Sequence, residues 1–435
     1  MFKKLSLVLA ALLLFSATSV MAQIDYCEGN FDNDLDQDGS DAFVFKQDFG
    51  RSSLLDPCPV IECQTAEELG MEIEQLKTQV AQLTALLANV TRVDNDITFS
   101  GVNVHIVDGS GSTDGDVNGL GNLIVGYNES RGGGDDRTGS HNIVVGSYHN
   151  YSSYGGLVAG DGNTISGPYA SVSGGGGNTA SGFNSSVSGG ASNIASGNRS
   201  SVSGGYENTA SSQYASVSGG EYNIASGWFS SVTGGESNTA SSLSASVSGG
   251  KNNRAIGEYS FVGGGGHEGA AYGNYAVADY SAILGGTNNT AGDPNRMDTG
   301  IGNYSTVSGG RDNTASGYAA SVSAGDDNTA SGSYSSINGG YDNTASGYHA
   351  SVSGGQYNDA TYDYASVSGG YNNTASGDSS TVSGGESNTA SGQNASVSGG
   401  YHNIASGLTA SVSGGNTRSA TGMDDWRAGG LFQDQ

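Results

Sequence analysis

The sequence predicts an all-β fold: a parallel β-solenoid of about 15-residue coils, preceded by a short α-helical coiled coil. The first observation is a phrase, Ser-Val-Ser-Gly-Gly-x-x-Asn-Thr-Ala-Ser-Gly-x-x-Ala, that returns along most of the chain. Its valine recurs at Val172, Val187, Val202, Val217, Val232, Val247 and Val262, and again from Val307 to Val412 with Ile337 in one place. Its asparagine keeps step six positions later, at Asn178, Asn193, Asn208, Asn223, Asn238 and Asn253, then from Asn313 to Asn403. The second observation is an uninterrupted four-three step of apolar residues between 64 and 92. A short exact period lets each copy touch only its neighbours, which is a solenoid and not a globular core. Catalysis needs unlike residues converging on one point, whereas a repeat sets like residues in rows. A non-catalytic protein is therefore expected.

Residues 1–22 carry Lys3 and Lys4, an apolar run from Leu5 to Phe15, and Val20-Met21-Ala22 before Gln23. That pattern reads as a secretory signal peptide and predicts an extracellular or cell-surface protein. No later stretch reaches the length of a membrane helix. The formal net charge of −27 argues against nucleic acid and anionic membranes as partners.

Residues 23–63 hold all three cysteines, Cys27, Cys58 and Cys63. In an oxidising compartment Cys27 and Cys58 are expected to bridge, closing a loop of about 30 residues. Cys63 is then free or pairs between chains, and sequence alone does not fix the connectivity. Between the cysteines runs Asp34-x-Asp36-x-Asp38-Gly39-Ser40-Asp41. Oxygen ligands at alternate positions, with Gly at the sixth for the bend, suit a hard cation, so Asp34, Asp36, Asp38, Ser40 and Asp41 form a candidate Ca²⁺ site. The segment resembles the calcium loops of dockerin and EF-hand modules. It departs from them at the twelfth position, where Phe45 stands in place of an acid, leaving Asp41 or Asp48 to substitute. The competing reading is a plain solvated acidic turn. A dockerin needs two such loops and one is present.

Across 64–92, Leu69, Ile73, Leu76, Val80, Leu83, Leu87 and Val90 make the seam of a coiled coil. An amphipathic helix on a globular surface is the alternative. β-Branched residues or Leu at one core position with Leu at the other favour two strands in parallel dimers. Residues 93–120 are expected to lead into the solenoid and cap it.

The repeats fill 121–422. Each phrase alternates with period two at Ser-Val-Ser and at Thr-Ala-Ser, and Gly and Asn supply the tight turns between. One phrase is one coil: strand, turn, strand, turn. Val172 and Ala180 point inward, while Ser171, Ser173, Thr179 and Ser181 point outward. Stacked asparagines hydrogen-bond as a ladder. One Val and one Ala per coil is a thin interior, which predicts a further buried surface between identical chains. Gly runs such as 174–177 and 263–266 lack the Gly-Lys-Ser/Thr of a phosphate loop and read as turn glycines. The histidines, including His105, His141 and His267, have no ligand spacing.

The phrase resembles the head repeats of trimeric autotransporter adhesins, with Leu123-Ile124-Val125-Gly126, Ile143-Val144-Val145-Gly146 and Leu157-Val158-Ala159-Gly160 as less regular first coils. The resemblance implies a left-handed β-roll, three chains side by side, and attachment as the role; it carries the expected homotrimer over the two-strand preference of the seam. The family's order differs, since its stalk usually follows the head and leads to a membrane barrel. Here the stalk precedes the repeats, and 423–435 is a short tail without barrel strands.

Where the phrase varies, partners are expected. Tyr206-Glu207, Glu221-Tyr222, Arg311-Asp312, Asp326-Asp327, Tyr341-Asp342 and Tyr401-His402 would form one ridge. Phe183, Tyr214, Trp228-Phe229, Tyr259, Tyr334 and Tyr348 would form another. Such rows suit a surface glycan or protein ligand. Insertions near 266–280 and 293–302 would protrude. The expected function is adhesin-like attachment, against a structural spacer fibre without a ligand. Ice binding is the remote alternative: outward Thr and Ser ranks at regular spacing would order water, but Ile194, Ile224, Arg254, Asp359 and Ile404 break the threonine rank.

Overall fold

A computed structural model describes residues 65–267 and 273–428. The chain divides into two units at Val104 and His105. In the first, helix α1 (Ala66–Leu86) starts at a capping box. Thr65 Oγ1 accepts the Glu68 N–H at 3.2 Å, and Glu68 Oε2 accepts the Thr65 N–H at 2.7 Å. A hairpin of β1 (Val90–Val93) and β2 (Asp96–Phe99) follows, with Asp94 at φ 48° in its turn. The helix therefore ends short of the expected 64–92, and Val90, the last seam position, pairs with Phe99 in the hairpin. The β-branched Val90, Thr91, Val93, Ile97 and Thr98 around an Asp-Asn turn favour strand there. No residue of α1 is buried. Among the described residues no helix is long and apolar enough to cross a membrane.

The second unit is a parallel β-solenoid. Its strands, mostly two residues long, fall into two ladders. Among the described residues the valine ladder has 20 strands and the alanine ladder 18. Register is exact from coil to coil: Ser186 pairs with Ser201 and Val187 with Val202, just as Ile194 pairs with Thr209 and Ala195 with Ala210. Both long coils return to it, with Val262 opposite Ile283 and Ile283 opposite Val307. The last strand, Trp426–Arg427, pairs with Ser411 and Val412, so the solenoid runs past residue 422 into the expected tail.

The corners are as regular as the strands. The second residue of each variable pair sits at positive φ, as at Asp312 (55°), Asp327 (60°), Tyr334 (60°) and Tyr364 (56°). Its N–H donates to the coil before it, Asp327 to Arg311 O at 3.0 Å and Tyr334 to Tyr318 O at 2.7 Å. Turn groups that would otherwise face water are thereby paired from coil to coil.

The interior corrects the sequence-based picture of a thin core. Val172 and Ala180 are fully buried as expected. The asparagine rank is equally buried, and so is the Ala or Ser that closes each phrase, at Ala170, Ser185, Ser200, Ala215 and Ser230. Four inward ranks fill each coil, and the core is complete within one chain. The expectation of a second chain on energetic grounds no longer follows.

Candidate binding surfaces

Among the described residues, two outward strand faces, two turn ridges and the loop after Gly292 are the candidate binding surfaces of the solenoid. The strands fix the faces. On the valine ladder the outward positions flank each buried valine, as Ser351 and Ser353 flank Val352. From Ser171 to Ser248 every such position in six successive coils carries a hydroxyl, Thr233 among them. From Thr306 to Ser413 eight successive coils do the same, with Asn338 the one exception. Some hydroxyls bond across coils, Ser351 Oγ to Ser366 Oγ at 3.1 Å and Ser396 Oγ to Ser411 Oγ at 3.0 Å. On the alanine ladder Thr314 and Ser316, Thr329 and Ser331, and Thr344 and Ser346 form the same grid. The rows repeat about every 4.8 Å between coils and about every 6.6 Å along a strand.

Both faces are interrupted at the same height. Phe261, Gly263, Ala282 and Leu284 replace the hydroxyls of two coils on the valine ladder. On the alanine ladder Arg254 and Tyr275 occupy the threonine rank, and Thr290 is buried. The loop after Gly292 lies over this spot. Arg296 places its guanidinium 3.6 Å from the Tyr275 ring centre, and its Nη2 donates to Asn288 Oδ1 at 2.8 Å. Arg254 approaches the same ring at 5.8 Å. Asp293, almost fully buried, folds the loop by accepting the N–H groups of Asn295, Met297 and Asp298 at 2.9–3.0 Å. These backbone donors hold its carboxyl below the ordinary range. The hydroxyl lattice is thus split into an N-terminal and a C-terminal platform.

The ridges expected from the variable pairs are present. Tyr259, Tyr280 and Tyr304 stack at 5.1 and 4.9 Å. Tyr318, Tyr334, Tyr348, His349 and Tyr364 continue the row. Phe183, Tyr214 and Phe229 make an earlier run, bridged by Arg199. Because several rings lie face to face on one another, much of what they offer solvent is edge and hydroxyl. On the opposite corner Arg311 donates Nε to Asp326 Oδ1 at 3.0 Å, and Asp312, Asp327 and Asp342 succeed one another coil by coil. Burial, then the neighbouring Asp342, Asp312 and Asp326, push the Asp327 carboxyl up. Tyr206, bonded to Glu207 and repelled by its charge, is pushed up to about 12.

Asp34, Asp36, Asp38, Ser40 and Asp41, with Cys27, Cys58 and Cys63, lie outside the described residues. Among the described residues no cluster of His, Cys, Asp and Glu could hold a metal. Two of the histidines are structural. His149, buried, accepts the Asn163 N–H on Nδ1 at 3.2 Å at the start of the asparagine ladder. His141 accepts the Asp108 N–H on Nε2 at 3.2 Å.

A family model described as a grass antifreeze β-roll matches residues 299–399. That stretch is similar to an ice-binding roll, and it carries the C-terminal hydroxyl platform. The match covers less than half of the chain. No match to the chain is found among curated proteins. The similarity supports a β-roll repeat; the adhesin and dockerin resemblances find no counterpart in it.

Proposed function

We propose that the solenoid binds ice through the hydroxyl lattice on its flat faces, foremost that from Thr306 to Ser413. The observation that carries this reading is the exact register of the ladders, which repeats Ser and Thr hydroxyls in two directions at once. A crystal surface also repeats in two directions, so many individually weak contacts are made together and their effects multiply. The match of 299–399 to a grass antifreeze β-roll supports the same reading. The serine face removes the objection raised by the broken threonine rank, because Ile194 and Ile224 lie on the other ladder. The test is thermal hysteresis and ice-recrystallisation inhibition by the purified mature chain. Absence of both would end this proposal.

A second reading, adhesin-like attachment by a secreted or cell-surface protein, is favoured by the aromatic and carboxylate ridges. Binding to cells or to a glycan array tests it. Silence there, and on ice, would leave a spacer fibre. Neither reading involves catalysis. In both, residues 1–22 direct export, and Asp34, Asp36, Asp38, Ser40 and Asp41 hold Ca²⁺ in the N-terminal module.

A further inference from the structure

Among the described residues nothing buries the seam of α1. Leu69, Ile73, Leu76, Val80, Leu83 and Leu87 follow one another at intervals of four and three, and each is 37–52% exposed. Five apolar side chains in one stripe on a helix with no buried residue, with Leu87 at its C-cap, require a partner surface. The step of 3.5 residues identifies that partner as another helix of the same period. In heptad terms Ile73 and Val80 occupy a within the helix, Leu69, Leu76 and Leu83 occupy d, and the C-cap Leu87 follows at the next a. β-Branched residues at a with Leu at d favour two parallel strands over three.

Two further features agree. An open groove on the helix is bounded by Ile73, Leu76, Lys77 and Val80, with Ala81 beside it. The first four are successive a, d, e and a positions, the hole that receives a d-position leucine from a parallel neighbour. Charge fixes the register. Glu72 at g lies five residues before Lys77 at e, so a parallel, in-register copy brings Glu72 of each chain to Lys77 of the other. Within its own helix Lys77 Nζ reaches Glu74 at 2.6 Å, an exposed pair that leaves the lysine at the edge of the seam.

We propose that α1 docks on a second copy of itself as a parallel, in-register two-stranded coiled coil, and that the protein is a homodimer. Three strands were expected through the resemblance to trimeric adhesins and through the thin core. The core is complete within one chain, and the family match lies with a different β-roll. The heptad chemistry then decides. This inference is independent of what the solenoid binds.

The experiment is sedimentation equilibrium on the full mature chain, with wild type expected at twice the monomer mass. Val80→Asp should give a monomer whose solenoid keeps its far-ultraviolet spectrum and melting temperature. Glu72→Lys and Lys77→Glu should each weaken the dimer roughly tenfold through loss of two symmetric pairs and the repulsion that replaces them. The double exchange should restore it. A trimeric mass overturns the proposal. So does a monomeric wild type, which would put another segment of the chain, or nothing, on the seam. A dimer indifferent to both single exchanges overturns the parallel register.

Discussion

The backbone N–H of Asn343 donates to the side-chain Oδ1 of Asn328 at 3.1 Å, and Asn343 Nδ2 donates to the same oxygen at 2.9 Å. One side chain thus satisfies the next coil's backbone and side chain together. Its own Nδ2 donates to Ala324 O at 3.3 Å and Gly340 O at 3.0 Å. The same backbone-to-side-chain bond links Asn178 to Asn163 and recurs along the asparagine rank as far as Asn403 and Asn388.

Asn328→Ala should therefore leave the buried Asn343 N–H without an acceptor. Its expected effect is a loss of about 2–4 kcal/mol. Because coupling is between neighbours, faster hydrogen exchange should centre on the amide of Asn343 and the coils around it. Uniform exchange along the solenoid would contradict a local role.

Adjacent glycines should respond in opposite ways. Gly310 has φ +89°, and a Cβ there would stand 2.1 Å from Gly325 O and 2.4 Å from Asn313 Nδ2. At Gly309 nothing lies within 4 Å of an added Cβ. Gly310→Ala should cost several kcal/mol, about 3 or more. Gly309→Ala should stay within about 0.5 kcal/mol in urea unfolding.

Much of this was legible in the sequence, for reasons that differ by residue. Val172 and Asn178 declared their ranks because a fixed period admits one stacking, and one stacking fixes which faces are inward. The closing Ala or Ser was not legible as core. Ala170, Ser185 and Ser200 alternate apolar with polar, and only the stack shows that all three are buried. The end of α1 was missed because Val90 continues the heptad while also fitting a strand, and the hairpin pairing with Phe99 prevailed. The serine face was legible as outward from the alternation at Ser171 and Ser173, but the broken threonine rank of the other ladder was weighed more heavily. Its flatness belongs to the register between coils and to no single phrase.

Asp327 gives a pH dependence whose sign follows from its environment. Burial and three neighbouring carboxylates raise its folded pKa above the unfolded value. Its contribution to stability is complete below the ordinary carboxylate pKa and is lost as pH rises through the folded value. At neutral pH the charged form is a liability. Asp327→Asn, which also suits the positive φ, should raise the melting temperature at neutral pH. The gain should vanish near about pH 3. Equal melting at neutral pH would refute this account.

The two faces of the C-terminal platform are separable. Ser351→Tyr with Ser366→Tyr disrupts the valine-ladder lattice, and Thr329→Tyr with Thr344→Tyr disrupts the other. All four point outward, so stability should change by less than about 1 kcal/mol per pair. Loss of most thermal hysteresis in the first pair, with the second nearly unchanged, is the expected result. Equal activity in both pairs would remove the platform from consideration.

Calcium removal is the remaining test. Binding to the native state alone adds about 2.7 kcal/mol at a hundredfold excess over Kd. Chelation should then expose the module from Cys27 to Cys63 to limited proteolysis, as should Asp36→Ala, while the solenoid resists. Cleavage of the wild type that ignores chelator would make the loop a solvated acidic turn.

The long coils carry a lesson for how such a gene changes. Asn274 follows Asn253 by 21 residues and Asn313 follows Asn289 by 24, yet each N–H still finds the Oδ1 of the coil before it at 3.0 Å. The frame resumes after both insertions, and in the second the extra residues form the loop after Gly292. In-frame duplication or deletion of whole phrases therefore leaves every surviving contact as it was, and unequal insertions are tolerated where they fall on a turn. A change in the number of coils would alter reach and platform area alone, because the asparagine rung that joins one coil to the next is the same at each step.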